Sequence, residues 1–300
     1  MIDGIINVYK EKGFTSHDVV AKLRGILKQK KIGHTGTLDP DAVGVLPVCL
    51  GKGTKLCDML TDRNKTYEVI MRLGITTDTE DMTGTILTEE EVLCTEQQVE
   101  EAIQQFVGNI EQIPPMYSAL KVNGKKLYEL AREGKTIERK ARPITIFAIR
   151  ILEMNLPFVR MEVSCSKGTY IRSLCRDIGE TLSCGGCMAK LTRTKVGQFR
   201  IDDSVTLDTI QTLVQEGELE KYLVGIEEVL QEYPAVSMRE EHDKLVHNGN
   251  PFTIAHLQQK NQVIELEQPL RVYDSEGTFI GIFQYKKEKQ RFYPEKMFLS

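Results

Sequence analysis

The 300-residue chain lacks most of the signatures from which an enzyme's chemistry is read. No apolar run is long enough to cross a bilayer. The longest stretch free of strongly polar residues, Val43 to Leu50, already contains Gly44 and Pro47. The start, Met1-Ile2-Asp3-Gly4-Ile5-Ile6-Asn7, has no basic region, and Asp3 breaks its apolar residues, which is not the pattern of a signal peptide. A soluble, cytoplasmic protein with no membrane partner is expected. The seven cysteines (Cys49, Cys57, Cys94, Cys165, Cys175, Cys184, Cys187) are odd in number and follow no framework, so reduced thiols are expected. Cys184-Gly185-Gly186-Cys187 has no second CxxC or His pair to complete a zinc site and reads as a small-residue helix exit. The five histidines (His17, His34, His242, His247, His256) lie at no metal-ligand spacing. Gly51-Lys52-Gly53 is only a fragment of a P-loop, with Gly44 too far upstream and Gly53 where Ser or Thr would bind magnesium. G-x-G-x-x-G, G-x-S-x-G and zinc-deaminase motifs are absent. Paired carboxylates of the glycosidase kind need a fold to locate them.

What is present is unevenly charged. The net charge of −4 divides into 29 Lys/Arg against 25 Asp/Glu in residues 1–200, and 10 against 18 in residues 201–300. Asp78 to Glu111 holds ten acids and no base, whereas Lys121 to Arg142 holds eight bases against Glu129, Glu133 and Glu138. Lys22, Arg24, Lys28, Lys30 and Lys31 form a second basic group. Such local faces can engage phosphates whatever the global sign, although each alone is also an ordinary solvated face. At 41% hydrophobic residues the chain can bury a sizeable core, as one large domain or two.

Periodicity predicts a strand at Ile5–Tyr9 and a helix capped by Thr15 or Ser16 with Val19, Val20, Leu23, Ile26 and Leu27 on one face. Lys65–Leu73 alternates as a strand, and Thr95 with Gln98 makes a capping box for a helix ended by Gly108. Lys125–Arg142 reads as a basic surface insertion, helix or loop. Strands are expected at Ile144–Ile151, Phe158–Ser164 and near Thr194–Phe199, with a helix carrying Ile171, Leu174, Cys175, Ile178 and Leu182. Character changes near Glu232-Tyr233-Pro234. Beyond it, a short helix at Glu240–His247 and strands at Val263–Leu266, Leu270–Tyr273 and Thr278–Tyr285 suggest a small barrel-like second domain.

The most informative stretch is Gly33-His34-Thr35-Gly36-Thr37-Leu38-Asp39-Pro40. Gly33 and Gly36 permit positive φ, Asp39 can form an Asx-turn, and Pro40 restrains the residue before it. The segment reads as an irregular loop presenting one carboxylate, with no other acid beside it except Asp41. Taken alone, Asp39-Pro40 is also an ordinary turn initiator whose carboxylate caps backbone N–H groups.

As a unit, the loop closely resembles the catalytic loop of the TruB family, bacterial tRNA pseudouridine synthases acting on uridine 55 of the T arm. Further segments match in family order: Lys65-Thr66-Tyr67, Thr77-Asp78-Thr79-Glu80-Asp81, Ile113 to Lys121, Cys165 to Leu174, and Leu191-Thr192-Arg193-Thr194. The resemblance covers most of residues 1–200, and the C-terminal part resembles a PUA-type RNA-binding module more weakly. It implies an α+β pseudouridine-synthase fold with a central mixed, largely antiparallel sheet flanked by helices. A catalytic domain over 1–232 and a β-rich PUA-like domain over 233–300 would follow.

By resemblance, Asp39 is the catalytic carboxylate, Arg172 pairs with it, and Tyr67 lies against the target base as the candidate for proton removal at C5. Attack at uracil C6, attack at the ribose carbon and abstraction of a ribose proton all stay open for Asp39. Tyr170 and Leu191 would line the pocket, and His34 would hold the loop after the base leaves the stack. Lys10 matches a lysine of the N-terminal motif, although Glu11 stands where a proline is common. Lys125, Lys126 and Lys135, in the basic insertion, would grip the T stem through phosphates. Lys286, Lys287, Lys289, Arg291 and Lys296 would add an accessory contact. No metal, cofactor or obligatory protein partner is implied, and a monomer is expected. A structural RNA binder without chemistry and the related guide-RNA-dependent class are the competing readings.

Overall fold

The computed structural model describes residues 1–122, 124–258 and 266–299. The chain begins with a strand that is buried almost throughout, β1 (Gly4–Lys10). Helix α1 (Ser16–Leu27) follows, and of the two candidate caps it is Thr15 that serves: its hydroxyl accepts from Asp18 N at 3.1 Å, and Asp18 accepts from Thr15 N at 2.8 Å. Val19, Val20, Leu23 and Leu27 form its buried stripe. Then come β2 (Val43–Leu50), β3 (Lys65–Leu73), α2 (Glu96–Gln104), β4 (Gly108–Gln112), β5 (Arg142–Asn155), β6 (Phe158–Cys165), α3 (Ile171–Thr181), β7 (Gly186–Val196) and α4 (Leu207–Glu216).

The strands form one mixed sheet in the order β1-β2-β7-β3-β6-β5-β4. The β7–β2 pair is parallel, and the β7–β3, β3–β6, β6–β5 and β5–β4 pairs are antiparallel. Alternation on β3 buries Lys65, Tyr67, Val69, Met71 and Leu73. On one face Val99 and Ile103 of α2 and Leu174 and Ile178 of α3 join Val69, Met71, Ile146 and Met161 in one apolar core. The expected α+β sheet with flanking helices is the observed one.

Strand β7 departs from expectation, since it starts at Gly186 rather than near Thr194. Its opening hides in the glycine pair Gly185-Gly186, which carries no strand signal. The reason for glycine there is proximity: a Cβ on Gly179 of α3 would stand 2.2 Å from Gly186 N, and one on Gly186 would stand 2.7 Å from Cys175 O. The helix can lie this close to the strand only where both lack side chains. The basic insertion is more ordered than expected. Lys121–Val122 pairs antiparallel with Lys125–Lys126, and a short helix, Leu127–Arg132, follows with Leu127 buried.

A second compact unit comprises Met1–Ile6, Cys49–Lys55 and Lys221–Ser300. Its four-stranded sheet runs β8 (Ala235–Ser237), β9 (Leu270–Tyr273), β10 (Phe279–Lys286) and β11 (Arg291–Met297), with β8–β9 parallel and the rest antiparallel. Phe252 packs against Phe283 and Phe292 with ring centroids 5.2 and 5.1 Å apart. Glu240–His247 is a 3-10 turn leading into a short helix. The charged stretch at β11 concealed a strand, and of the strand expected at Val263–Leu266 only Leu266 is among the described residues.

Candidate active site

The glycine loop is held from below at nearly every residue. Ile32–His34 forms a short strand, so the segment is irregular only from Thr35 onward. Of the two glycines, Gly36 takes positive φ (102°), whereas Gly33 answers a close approach, because a Cβ there would stand 2.9 Å from Cys57 Sγ. Thr35 donates twice to Pro47 O, both at 3.1 Å, and Leu38 N donates to Ser16 Oγ at 2.9 Å. Pro40 O accepts from Gly13 N at 2.9 Å and from Lys10 Nζ at 3.0 Å. Lys10 itself is fully buried, its ammonium engaged by Pro40 O and Glu11 O, and burial holds its pKa down to about 8. It therefore supports the loop from beneath instead of reaching outward.

Asp39 accordingly sits on a fixed backbone with its side chain 40% exposed. Its carboxylate meets Arg172, with Nε 3.1 Å from Oδ2 and Nη2 3.4 Å from Oδ1. Arg172 lies at the start of α3, where Tyr170 N donates to Gln112 Oε1 at 2.8 Å and Gln112 Nε2 donates to Tyr170 O at 3.0 Å. The guanidinium also donates to Thr79 O at 3.1 Å and Tyr117 O at 2.8 Å, and Asp81 Oδ2 lies 3.8 Å from Nη1. Burial pushes the Asp39 carboxyl above its ordinary range, against the pull of Arg172; Asp81 adds to the rise and Lys10 opposes it.

Asp41 is thus not the acid nearest in effect. It pairs with exposed Lys12 at 3.3 Å, while Asp81 shares Arg172 with Asp39. Asp81 is fixed by Thr79 Oγ1 (2.8 Å) and Thr83 N (2.9 Å) on its Oδ1, which leaves Oδ2 toward the arginine.

Tyr67 is buried on β3 directly opposite Arg193 of β7, and the two side chains hydrogen-bond. Arg193 is also buried and donates to Val45 O at 2.7 Å and Gly36 O at 3.2 Å. One arginine therefore ties the glycine loop, β2 and Tyr67 together. Burial raises the Tyr67 pKa. Leu191, two residues before Arg193, joins Tyr67, Leu38 and Ala42 in the core beside the loop. Tyr170 is half-buried, and burial raises its pKa as well. His34 is half-buried and edge-on to His17 at 5.7 Å, with Nδ1 lacking a hydrogen-bond partner; burial, then His17 and Arg193, lower its pKa.

The structure thus brings Asp39, Arg172, Tyr67, Leu191, His34 and Lys10 onto or against one loop. Lys125, Lys126 and Lys135 form a separate cluster on the hairpin and helix. Lys125 and Lys135 lie 3.8 and 2.7 Å from Glu133, and Lys126 donates to Tyr128 OH at 3.1 Å. Sequence reasoning gave no role to Asp81, Thr79, Gln112 or Arg193. Arg193 was findable, because two residues from Leu191 on a strand means the same face. Among the described residues no group of three or more His, Cys, Asp or Glu side chains is placed to hold a metal, and no disulfide joins the cysteines.

The site is a loop offering one half-open carboxylate clamped by a buried arginine on a mixed sheet, and the fold is that of the pseudouridine synthases. The chain is similar in fold to the crystal structure of a Cbf5-Nop10-Gar1 complex (TM-score 0.75, 26% identity, 99% of this chain and 85% of that one). It is likewise similar to an archaeal box H/ACA sRNP Nop10-Cbf5 complex (TM-score 0.74, 25% identity, 99% and 86%). Residues 24–171 match the model of the TruB family pseudouridylate synthase N-terminal domain, and 172–231 match that of the tRNA pseudouridylate synthase B C-terminal domain. A tRNA pseudouridine synthase B of Lachnoclostridium phytofermentans is 54% identical over 99% of this chain and 100% of that protein. Its counterpart in Clostridium perfringens strain SM101 is 43% identical over the whole of both. The chain belongs to the TruB family of tRNA pseudouridine synthases, enzymes of the isomerase class.

Proposed function

We propose that this enzyme converts uridine 55 in the T loop of tRNA to pseudouridine, using Asp39 as its one reacting carboxylate on a base turned out of the stack. The isomerisation breaks the N1–C1′ bond, forms a C5–C1′ bond, releases the C5 proton and leaves a proton on N1, so no group donor or redox partner enters the balance. The observation that carries the reading is the Asp39–Arg172 pair, whose guanidinium is locked by the Thr79 and Tyr117 carbonyls. A positioned guanidinium keeps a partly buried carboxylate ionised and oriented, which a reacting aspartate requires.

The remaining roles are those that the family resemblance implies. Tyr67, beside Leu191, stands against the base and takes the C5 proton; Tyr170 lines the pocket, and His34 steadies the loop once the base has moved. Extruding the base costs a few kcal/mol, and stacking on an aromatic ring, worth about 1–3 kcal/mol, offsets it. Lys125, Lys126 and Lys135 grip T-stem phosphates. Residues 1–232 form the catalytic domain and 233–300 a PUA-like accessory RNA-binding domain, in a cytoplasmic monomer that needs no protein partner. Relatives similar over their whole length favour this stand-alone reading over a guide-RNA-dependent one.

The test is tritium release from a tRNA transcript labelled at uridine C5, with the purified chain alone. Release from position 55 is expected, and Asp39→Asn should bind tRNA without releasing tritium. A folded, tRNA-binding protein that releases none is an RNA binder rather than this enzyme. Full activity in Asp39→Asn would remove Asp39 from the chemistry.

A further inference from the structure

Arg172 and Arg176 lie four residues apart on α3, one turn along the same side of the helix. Arg172 reaches Asp39, whereas Arg176 reaches the turn that holds Arg172. Arg176 Nη1 pairs with Glu80 Oε1, and Ser173 Oγ donates to the other Glu80 oxygen at 2.6 Å. Both carboxylate oxygens of Glu80 are therefore engaged by α3. Arg176 Nη2 also reaches Ile113 O at 3.4 Å, in the segment that carries Tyr117. Glu80 is buried and holds φ at +63°, a left-handed conformation strained for a side chain other than glycine. Backbone bonds fix it further: its N–H donates to Thr77 O at 3.2 Å, and its carbonyl accepts from Met188 N at 3.0 Å. Its two neighbours are the groups facing Arg172 Nη1, namely the Thr79 carbonyl at 3.1 Å and the Asp81 carboxylate at 3.8 Å.

We propose that Glu80 is a positioning residue for the reaction: tied to α3 through Arg176 and Ser173, it sets the Thr79–Asp81 turn and hence the guanidinium that orients Asp39. The proposal rests on Asp39 being the reacting carboxylate. Removing Glu80 does not strand Arg176, which keeps Asp177 at 2.5 Å and Glu180 at 3.7 Å. The effect is therefore directed at the turn. Asp39 is faced by Arg172 and Lys10 as cations and by Asp81 and Asp41 as anions. When the turn loosens, the hold of Arg172 on Asp39 weakens while the burial of Asp39 remains, so Asp39 becomes harder to ionise.

The test measures single-turnover tritium release from about pH 5 to about pH 9, with tRNA affinity and thermal midpoint alongside. Glu80→Ala should slow the step about tenfold, leave Kd within about twofold, and move the acid limb up by about half a pH unit. Glu80→Gln, which keeps the shape, can accept from Arg176 through its one carbonyl oxygen and donate from its amide to the Ser173 hydroxyl, and it should restore most of the rate. Ser173→Ala removes one tie and should shift rate and limb less, in the same direction. A folded Glu80→Ala with unchanged rate overturns the proposal, as does a slowed one whose acid limb has not moved, since a merely structural residue would behave so. If Glu80→Ala does not fold, an unchanged rate and limb in Ser173→Ala overturns it equally. Activity in Asp39→Asn would instead remove the reading beneath it, which the Glu80 variants alone cannot do.

Discussion

Replacing Arg172 with lysine keeps the charge beside Asp39 and removes the fork. The guanidinium has five N–H donors, and its three nitrogens divide them among Asp39, Thr79 O, Tyr117 O and the side facing Asp81. A single ammonium on a shorter reach cannot stand where three nitrogens now stand. In Arg172→Lys, Asp39 loses its two-point contact, and at least one of the two backbone carbonyls loses its partner. A charge-assisted hydrogen bond contributes about 1.5–3 kcal/mol, so losing one in the transition state slows the step about 10- to 150-fold. The orphaned carbonyl costs about 1–3 kcal/mol of stability, small enough to leave the protein folded at room temperature. Single-turnover tritium release at 25 °C under saturating enzyme, with tRNA affinity measured separately, isolates the chemical loss. A rate within about threefold of the parent would refute the reasoning, because it would show that charge alone suffices and the fork adds nothing.

Asp39→Asn should melt no lower than the parent at neutral pH, whatever happens to activity. The folded-state pKa of Asp39 is raised, so its contribution to stability is greatest below the unfolded pKa and falls as pH climbs through the folded one; a melting series from about pH 4 to 8 should show the variant's advantage growing with pH, and a steady disadvantage would contradict it. Exchanging Lys125, Lys126 and Lys135 for alanine should weaken tRNA binding and flatten the salt dependence by up to about two to three in log–log slope. Glu133→Gln, which frees Lys125 and Lys135 from their ion pairs, should tighten binding slightly, and an unchanged slope in the triple variant would mean that the segment misses the phosphates. Gly44→Ala should prevent stable folding or cost several kcal/mol: the new Cβ would stand 2.3 Å from Arg193 O at a φ of +106°, so an unaltered melting curve would mean the strands can part there freely.

The parts of this molecule legible from sequence are those decided locally. The Thr15 cap, the alternation on β3, and the glycine and proline punctuation around Asp39 each act within a few residues, and the structure has them. The site also depends on contacts that no local pattern encodes. Arg172 meets Asp39 across 133 positions of sequence, and neither residue carries a mark of the other; only the resemblance in motif order joined them. Lys10 shows the opposite failure. The resemblance offers Lys10 as a substrate contact, yet the side chain is buried, with Pro40 O, 30 residues on, as an acceptor. Asp81 and Glu80 belonged to a matched motif, but the side chains they meet, Arg172, Ser173 and Arg176, lie on a helix more than 90 residues away.

The two largest influences on Asp39 oppose each other, and their order bears on reactivity. Burial exceeds the attraction of Arg172, so the carboxyl is more basic than a solvated aspartate. Greater basicity suits either attack on carbon or removal of a proton. Burial alone, however, would drive the group to its neutral form, which can do neither. Arrival of a polyanionic tRNA adds negative potential and pushes in the same direction as burial. Arg172 and Lys10 are the cations placed to resist that push, and both are anchored by backbone carbonyls in the free protein. Because those anchors stand before RNA arrives, the opposing field needs no rearrangement at the moment of reaction. With Asp39 as the proposed reacting carboxylate, these carbonyl clamps keep both cations in place to hold it ionised.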